Sequence, residues 1–205
     1  MMLIQENSVE LFGQALTDPV LSHESHGELF YSFQLEVKRL SDTPDILTIL
    51  IAEKNASGVH AGQAVGVRGN MRSFNNHGES GNRLIIAVLA RETFGGADGH
   101  ANKVTLSGVI CKPPVCRKTP MGREICDLML AVNRRYGRAD YLPCIAWGRN
   151  ARQCAGLSVG DGLWISGRVQ SRSYIKVNGE GEGVEKTAFE ISINELEIML
   201  KEAKS

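Results

Sequence analysis

The chain repeats itself once, and this repeat constrains the fold more than any other feature. Residues 7–13, Asn-Ser-Val-Glu-Leu-Phe-Gly, align with residues 102–108, Asn-Lys-Val-Thr-Leu-Ser-Gly, at an offset of 95. The offset later drifts to 98 and then to about 105, which places the insertions in loops. A unit of this length is too long for a solenoid repeat and has the size of a small domain. We therefore predict two domains of one architecture, residues 1–94 and 102–199, joined by a linker at 95–101.

Apolar and polar residues alternate with a period of two in both copies, which is typical of strands. The strands are predicted at 8–16, 29–39, 45–52, 63–73 and 83–93 in the first copy, and at 103–111, 124–134, 140–147, 162–176 and 187–198 in the second. One short helix is expected between the third and fourth strands, with Asn150 as its N-cap in the second copy. This element order predicts an all-β fold of two tandem five-stranded OB barrels, each with a short helix between strands 3 and 4.

Several classes of protein are disfavoured by what the sequence lacks. No apolar run approaches the 18 residues of a membrane span, and the amino terminus does not resemble a secretory signal, so a cytoplasmic protein without a membrane segment is expected. No phosphate-binding loop, nucleophile elbow or metal-ligand motif is found, so we expect no enzyme, no catalytic residues, no cofactor and no metal site. His23 and His26 share one loop, where a solvated pair is a better interpretation than a metal site.

The five cysteines all lie in the second copy, at positions 111, 116, 126, 144 and 154. They contain no Cys-x-x-Cys pair, which argues against zinc. The first copy has Leu16, Leu21, Tyr31 and Ile49 at the positions of the first four cysteines. We therefore expect Cys111, Cys116, Cys126 and Cys144 to be small buried apolar side chains.

Charge is distributed unevenly along a chain that is neutral overall. Residues 102–178 contain thirteen Lys and Arg against four Asp and Glu, whereas residues 1–94 contain seven against eleven. A basic second copy indicates a polyanionic partner.

The aromatic residues narrow that partner to a nucleic acid. Strand parity places Tyr141 and Trp147 opposite the core-facing residues Leu142, Cys144 and Ala146. The same parity groups one face of the fourth strand, which comprises Trp164, Arg168, Gln170, Arg172, Tyr174 and Lys176. Exposed rings can stack on unpaired bases while guanidinium groups contact phosphates. The alternatives are ordinary packing for the tyrosines and a contact between domains or subunits for Trp164.

These motifs together resemble the bacterial single-stranded DNA-binding protein family, and they are also similar to primosomal replication protein N. The resemblance spans residues 102–198 and rests on residues 102–108, Pro114, Arg117, Gly122, 130–132, 145–149, 165–168 and 172–174. It implies that Tyr136, Tyr141, Trp147 and Tyr174 stack on bases. With the neighbouring cations, the expected nucleic-acid-binding residues are Arg134, Tyr136, Arg138, Tyr141, Trp147, Arg149, Arg168, Arg172, Tyr174 and Lys176.

The first copy lacks this aromatic platform. The corresponding positions are Ser41, Ile46, Ala52 and Asn76, with Phe74 nearby, so the first domain is expected to scaffold or oligomerise. Because single-domain relatives assemble as dimers or tetramers of barrels, the resemblance implies a homodimer with four barrels.

The expected function is binding of single-stranded DNA without strong sequence preference, in replication, repair or recombination, by a cytoplasmic, nucleoid-associated protein. The alternative is a primosome-like adaptor that binds replication proteins, with secondary binding of single-stranded DNA or RNA. The absence of the acidic tail that is typical of relatives favours this alternative.

Overall fold

The fold was analysed in a computed structural model, which describes residues 5–75, 84–95, 101–177 and 183–199. The first copy consists of β1 (Asn7–Ala15), β2 (Val20–Ser25), β3 (Glu28–Lys38), β4 (Pro44–Ala52), α1 (Glu53–Ala56), β5 (Ala64–Asn75) and β6 (Leu84–Phe94). The second consists of β7 (Asn102–Ile110), β8 (Val115–Lys118), β9 (Glu124–Asn133), β10 (Ala139–Trp147), α2 (Arg149–Cys154), β11 (Gly162–Val177) and β12 (Gly183–Met199), with a 3-10 turn at Arg135–Gly137 between β9 and β10. Most of the predicted linker, residues 96–100, lies outside the described residues.

Each copy forms a barrel. In the first the strand order is β2-β3-β4-β6-β5-β1, and β1 also pairs with β3 and so closes the sheet. In the second the order is β7-β11-β12-β10-β9-β8, and β7 also pairs with β9. The single parallel contact in each, β4 with β6 and β10 with β12, occurs where the chain crosses the barrel through the short helix. This topology confirms the predicted OB barrels.

The cores follow the alternation on which the prediction rested. On β3, Phe33, Leu35 and Val37 are buried, and on β9 the matching residues Leu128, Leu130 and Val132 are buried as well. All five predicted strands are present in each copy. The sequence reading missed β2 and β8, because these short edge strands are almost wholly exposed and therefore show no alternation of buried residues.

The predicted helix cap is wrong. Helix α2 begins at Arg149 after Gly148, which adopts a φ of 53° and takes the N-cap position. Asn150 lies inside the helix, and its side-chain amide donates to the carbonyl of Asn194 at 2.9 Å. The sharp turn at Gly148 is available to glycine at little cost, which lets the helix start two residues earlier than expected. No helix in the described part of the chain has the length and apolar character that crossing a bilayer would require.

The described residues form two compact units that do not coincide with the two copies. One unit comprises Asn7–Arg72 and Ile86–Thr105, and the other comprises Leu106–Ser205 together with Met1–Glu6 and Ser73–Ile85. The end of β5 from Ser73 and the start of β6, although they belong to the first copy in sequence, are therefore part of the unit that contains β8 to β12. The domain boundaries drawn from the repeat remain a prediction.

The cysteines differ from expectation at two positions, because Cys111 is only half-buried and Cys116 is exposed. Cys126 and Cys144 are buried, but Cys116 is exposed on β8 and is bonded to Cys126 on β9. Cys111, Cys144 and Cys154 are free thiols. The alignment with Leu21 was misleading, because Leu21 itself is an exposed apolar residue on β2.

Glycine is required where strands approach each other most closely. A Cβ atom at Gly167 on β11 would overlap the carbonyl oxygen of Ser192 on β12, and one at Gly69 on β5 would overlap that of Leu89 on β6. The two glycines occupy equivalent positions in the two copies, so both barrels have the same requirement.

We expect Gly167→Ala to lower the free energy of unfolding by about 1–3 kcal/mol, since the backbone of β12 must move to admit the methyl group. Gly156→Ala is the matched control, because nothing lies within 4 Å of a Cβ placed there, and it should be neutral or slightly stabilising. Chemical denaturation followed by tryptophan fluorescence measures both effects. Equal stability of the two variants would contradict the close approach of β11 and β12.

Candidate nucleic-acid interface

Strand β10 presents two aromatic rings to solvent. Its pairing with β9 is uninterrupted from Ala139 to Trp147, so alternate residues point to opposite faces. Leu142, Cys144 and Ala146 are buried in the core, whereas the side chains of Tyr141 and Trp147 are 48% and 38% exposed. The predicted parity of this strand is confirmed.

Strand β11 presents cations and a third ring. Its pairing with β12 is uninterrupted from Gly167 to Val177, and Val169 on the inner face is fully buried. Arg168 and Arg172 are exposed on the opposite face, and Tyr174 is half-buried there. Arg172 Nε lies 3.6 Å from Glu190 Oε2 across the strand pair.

Gln170 shares the face of Arg168 and Arg172 but does not reach solvent. It is buried, and its side-chain amide donates to Glu190 Oε1 at 2.9 Å. Lys176 belongs to β11, but its side chain lies outside the described part of the structure.

The outward-pointing sides of β10 and β11 are connected through β12 by a row in which Ile145 and Ser192 are themselves buried. Ile145 of β10 is paired with Ser192 of β12, and Ser192 is paired with Arg168 of β11. Residues paired directly across strands point to the same side. Since neighbouring strands lie about 4.8 Å apart, this row places Arg168 roughly 10 Å from the backbone of the aromatic strand. We call the exposed residues of this face, Tyr141, Trp147, Arg168, Arg172 and Tyr174, the ring–arginine face.

The turn before β10 adds a fourth ring. Tyr136 is 97% exposed at the centre of the 3-10 turn and adopts a φ of 63°. The backbone amide of Arg134 donates to the carbonyl of Arg138 at 2.7 Å and closes the turn. A left-handed conformation is unfavourable for a bulky residue, and such conformations cluster at ligand sites. Arg135 and Arg138 are exposed on either side of the ring.

Arg134 differs from the other predicted contacts, because its guanidinium group has an internal partner. Nε donates to Asp140 Oδ2 at 2.7 Å, Nη2 contacts Asp140 Oδ1, and Nη2 also donates to the carbonyl of Ser73 at 3.1 Å. The same group lies 5.7 Å from the centre of the Phe74 ring. Asp140 is fully buried, so this pair is part of the framework of the unit. The expectation that Arg134 binds phosphate remains a prediction, beside the contacts of its guanidinium group with Asp140 and Ser73.

Ser73 completes the network beneath the aromatic strand. Its backbone amide donates to Asp140 Oδ1 at 2.7 Å, and its Oγ accepts from the backbone amide of Tyr141, also at 2.7 Å. The start of β10 is thereby fixed at the residue that carries the first ring. Sequence reasoning missed Ser73, although the repeat contains a hint: the first copy has an equivalent pair, Arg39 and Asp45, with Arg39 Nε donating to Asp45 Oδ2 at 2.8 Å.

Two further residues of the prediction lie apart from the ring–arginine face or at its edge. Arg149 is exposed at the first position of α2, two residues after Trp147. Trp164 is half-buried, and its Nε1 donates to Glu6 Oε2 at 2.8 Å. Glu6 is held in turn by its backbone amide, which donates to Ser107 Oγ. Trp164 therefore packs against the amino-terminal segment of the same unit and is not available as a stacking platform.

The first copy has no ring at the positions that correspond to Tyr141 and Trp147. Ile46, the counterpart of Tyr141, is 46% exposed but aliphatic, and Ala52, the counterpart of Trp147, is buried. Arg68 donates to Glu10 at 2.6 Å and to Glu92 at 3.1 Å, and it lies over the ring of Phe94. The hydrogen bond to Glu10, followed by that to Glu92, raises the pKa of Arg68. A guanidinium shared by two carboxylates attracts a phosphate weakly.

No group of three or more His, Cys, Asp or Glu side chains is placed to hold a metal ion within the described ranges. The ring–arginine face combines flat apolar rings with guanidinium groups, which suit stacking and charge contacts.

Comparison with known proteins finds similarity to one family. The model of the Single-strand binding protein family matches residues 101–199. Single-stranded DNA-binding protein 3 of Clostridium acetobutylicum is 38% identical over 85 residues, which are 38% of this chain and 59% of that protein. Single-stranded DNA-binding protein A of Bacillus subtilis is 35% identical over 86 residues, 38% of this chain and 50% of that protein. The chain spans roughly half to two thirds of the length of such relatives.

A solved structure resembles the whole chain. The wild-type single-stranded DNA binding protein of Thermus aquaticus superposes with a TM-score of 0.76 over 98% of this chain and 96% of that chain, at 22% sequence identity. At this identity the likeness supports the fold, and it extends to both copies.

Proposed function

We propose that the second barrel, which matches the model of the Single-strand binding protein family, binds single-stranded DNA without strong sequence preference. In this proposal Tyr136, Tyr141, Trp147 and Tyr174 stack on bases, and the phosphate contacts come from Arg138, Arg149, Arg168, Arg172 and Lys176. The observation that carries the proposal is the ring–arginine face itself, in which exposed rings and guanidinium groups lie on one side of one sheet. The processes served are DNA replication, repair or recombination.

The energies of the two kinds of contact explain why rings matter more than ion pairs. Stacking of one base on an aromatic side chain contributes about 1–3 kcal/mol, whereas an exposed ion pair contributes roughly 0–1 kcal/mol. Every base has a flat face, so stacking tolerates any sequence. Arginines beside the rings add phosphate contacts that are equally independent of sequence.

The first barrel is proposed to be a scaffold. Its Arg68 is shared by Glu10 and Glu92, and it lacks rings at the positions of Tyr141 and Trp147. We propose that two chains assemble into a homodimer with four barrels, in the cytoplasm and associated with the nucleoid. Sedimentation of the full chain, free and with oligo(dT), tests the stoichiometry.

A tryptophan titration tests the stacking directly. The chain has two tryptophans, and only Trp147 is on the ring–arginine face. We expect oligo(dT) to quench the fluorescence of the Trp164→Phe variant, whose remaining tryptophan is Trp147. The Trp147→Phe variant, which retains Trp164 against Glu6, should show little change. Quenching confined to Trp164 would place the nucleic acid elsewhere.

The dependence on salt tests the arginines. The logarithm of the affinity for a single strand should fall with the logarithm of the salt concentration, with a slope of about −0.7 for each phosphate neutralised. Arg168→Ala should weaken binding and reduce that slope by about 0.7. Arg68→Ala is the matched control in the first barrel, because its partners are Glu10 and Glu92, and it should leave the slope unchanged. An equal effect of both variants would remove the special role of the second barrel.

The second candidate function is an adaptor for replication or primosome proteins, with secondary binding of DNA or RNA. The exposed apolar residues Val20 and Leu21 on the edge strand β2 favour it, because neighbouring apolar side chains in solvent are a feature of protein-binding surfaces. Recovery of a stoichiometric protein partner after nuclease treatment, together with weak binding to oligo(dT), would support this function. Comparison of oligo(dT) with oligo(U) separates DNA from RNA.

A further inference from the structure

Strands β8 and β9 share a cysteine pair that plays no part in the proposed stacking and phosphate contacts. Cys116 on β8 lies directly opposite Cys126 on β9, and their Sγ atoms form a disulfide. β8 is only four residues long, all of them exposed, and it lies at the end of the strand order. A covalent bond therefore holds the least buried strand of the second barrel.

Arg117, the residue next to Cys116, is aligned with the ring–arginine face. It is paired with Ile125 of β9, and Ile125 is paired on its other side with Trp147 of β10. The three residues therefore point to the same side. Arg117 Nη2 donates to Asp127 Oδ2 at 2.7 Å, and the side chain remains about half exposed. A guanidinium group has five N–H donors, so donors are left for a phosphate beside Trp147.

The first copy has an equivalent strand, β2, which carries no disulfide. Leu21 and Tyr31 occupy the positions of Cys116 and Cys126, and they are paired in the same way. The register then shifts between Leu21 and His23, so that Ser22 is skipped. Ser22 is the counterpart of Arg117, which keeps its place opposite Ile125. The strand thus bulges at this position in the copy without the covalent bond, and stays in register in the copy with it.

We infer that the Cys116–Cys126 disulfide holds Arg117 in register beside Trp147 and makes the affinity for single-stranded DNA depend on redox state. The inference rests on the proposed function. A dithiol reductant breaks the bond by exchange: it gives two electrons and two protons to the two sulfur atoms, which become thiols, and is itself oxidised to a disulfide. β8 is then free to bulge as β2 does, which moves Arg117 out of the row that contains Trp147.

Redox control of binding agrees with the cytoplasmic location that we propose. In the cytoplasm thiols are kept reduced, and disulfides found there are usually transient and redox-sensing. The disulfide would then form under oxidising stress, when unpaired DNA needs protection. The bound strand would be held more tightly in that condition.

The other three cysteines do not complicate the test. Burial raises the pKa of Cys144 well above its ordinary value, and it raises the pKa of Cys154 to about 11. Burial also raises the pKa of Cys111. Thiolates are the reactive form, so these thiols exchange slowly in the folded protein.

The experiment compares the full chain in two redox states. Alkylation in denaturant followed by mass spectrometry should find three free thiols in the oxidised protein and five after treatment with dithiothreitol. Anisotropy of a labelled oligo(dT) should then show an affinity lower by about threefold to tenfold in the reduced protein, as expected for loss of one charge-assisted phosphate contact. Cys116→Ser should bind like the reduced protein in both states.

The Arg117→Ala variant distinguishes loss of the phosphate contact from loss of barrel stability, because this exposed residue can be replaced while the disulfide remains. The variant should bind weakly and equally in both states. Equal affinity of oxidised and reduced wild-type protein, or five free thiols after treatment with an oxidant, would overturn the inference and leave the proposed function intact. Absence of oligo(dT) binding in either state would overturn both.

Discussion

Replacing both Tyr141 and Trp147 with alanine is expected to weaken binding of oligo(dT) by at least about thirtyfold. Each ring lost from the ring–arginine face removes a stack of about 1–3 kcal/mol, and 2 kcal/mol corresponds to roughly a factor of thirty in Kd. Both side chains are substantially exposed on β10, so their removal should leave the barrel intact. Fluorescence anisotropy of a labelled oligonucleotide measures the loss.

The repeat supplies a matched control for this prediction. Ile46 occupies the position of Tyr141 in the first barrel and is exposed to almost the same extent, 46% against 48%. Ile46→Ala should leave the affinity within about twofold, because no base stacks there in the proposal. Unchanged affinity of the Tyr141→Ala/Trp147→Ala variant would end the proposal that β10 is the binding strand. A large effect of Ile46→Ala would instead give the first barrel a direct part in binding.

The second large effect concerns stability. Asp140→Ala is expected to lower the free energy of unfolding by about 3–5 kcal/mol, because it leaves a largely buried guanidinium group, that of Arg134, without its carboxylate. It also removes the acceptor of the Ser73 amide. Both tryptophans lie in this unit, so fluorescence during denaturation reports on its unfolding.

The control for Asp140 is an ion pair at the surface of the same unit. Glu124 contacts Arg152, and the arginine side chain is mostly exposed. Glu124→Ala should therefore cost no more than about 1 kcal/mol. If Asp140→Ala proved as mild as Glu124→Ala, the Arg134–Asp140–Ser73 network would not be a structural anchor. Loss of DNA binding without loss of stability would support Arg134 as a contact residue.

The two barrels could be predicted because the alternation of apolar and polar residues is a local feature of the sequence. Alternation along β3 and β9 reports directly on which side chains reach the core, and the repeat shows that the same plan occurs twice. Strands β2 and β8 gave no such signal, since an exposed edge strand of four to six residues has no buried face. The start of β12 at Gly183 was placed four residues too late for the same reason, because its first residues are exposed.

The candidate site was predictable where parity alone decides exposure. Tyr141 and Trp147 follow from alternation along an unbroken strand. The internal contacts of Arg134 do not follow from alternation, because they depend on Asp140, six residues later, and on Ser73, which is 61 residues away in the chain. Arg117 was also left out of the predicted set, since its place beside Trp147 depends on the register of a strand that the sequence did not reveal.

Ser73 has an evolutionary consequence. It is encoded in the first copy, yet it supplies an amide donor to Asp140 and a hydroxyl acceptor to Tyr141 in the second. The first copy lacks rings at Ile46 and Ala52, while the end of its β5 supports the binding strand of the second. A chain without the first copy would lose the hydrogen bonds of Ser73 to Asp140 and Tyr141, and with them part of the support of its binding strand. The duplication is therefore hard to reverse.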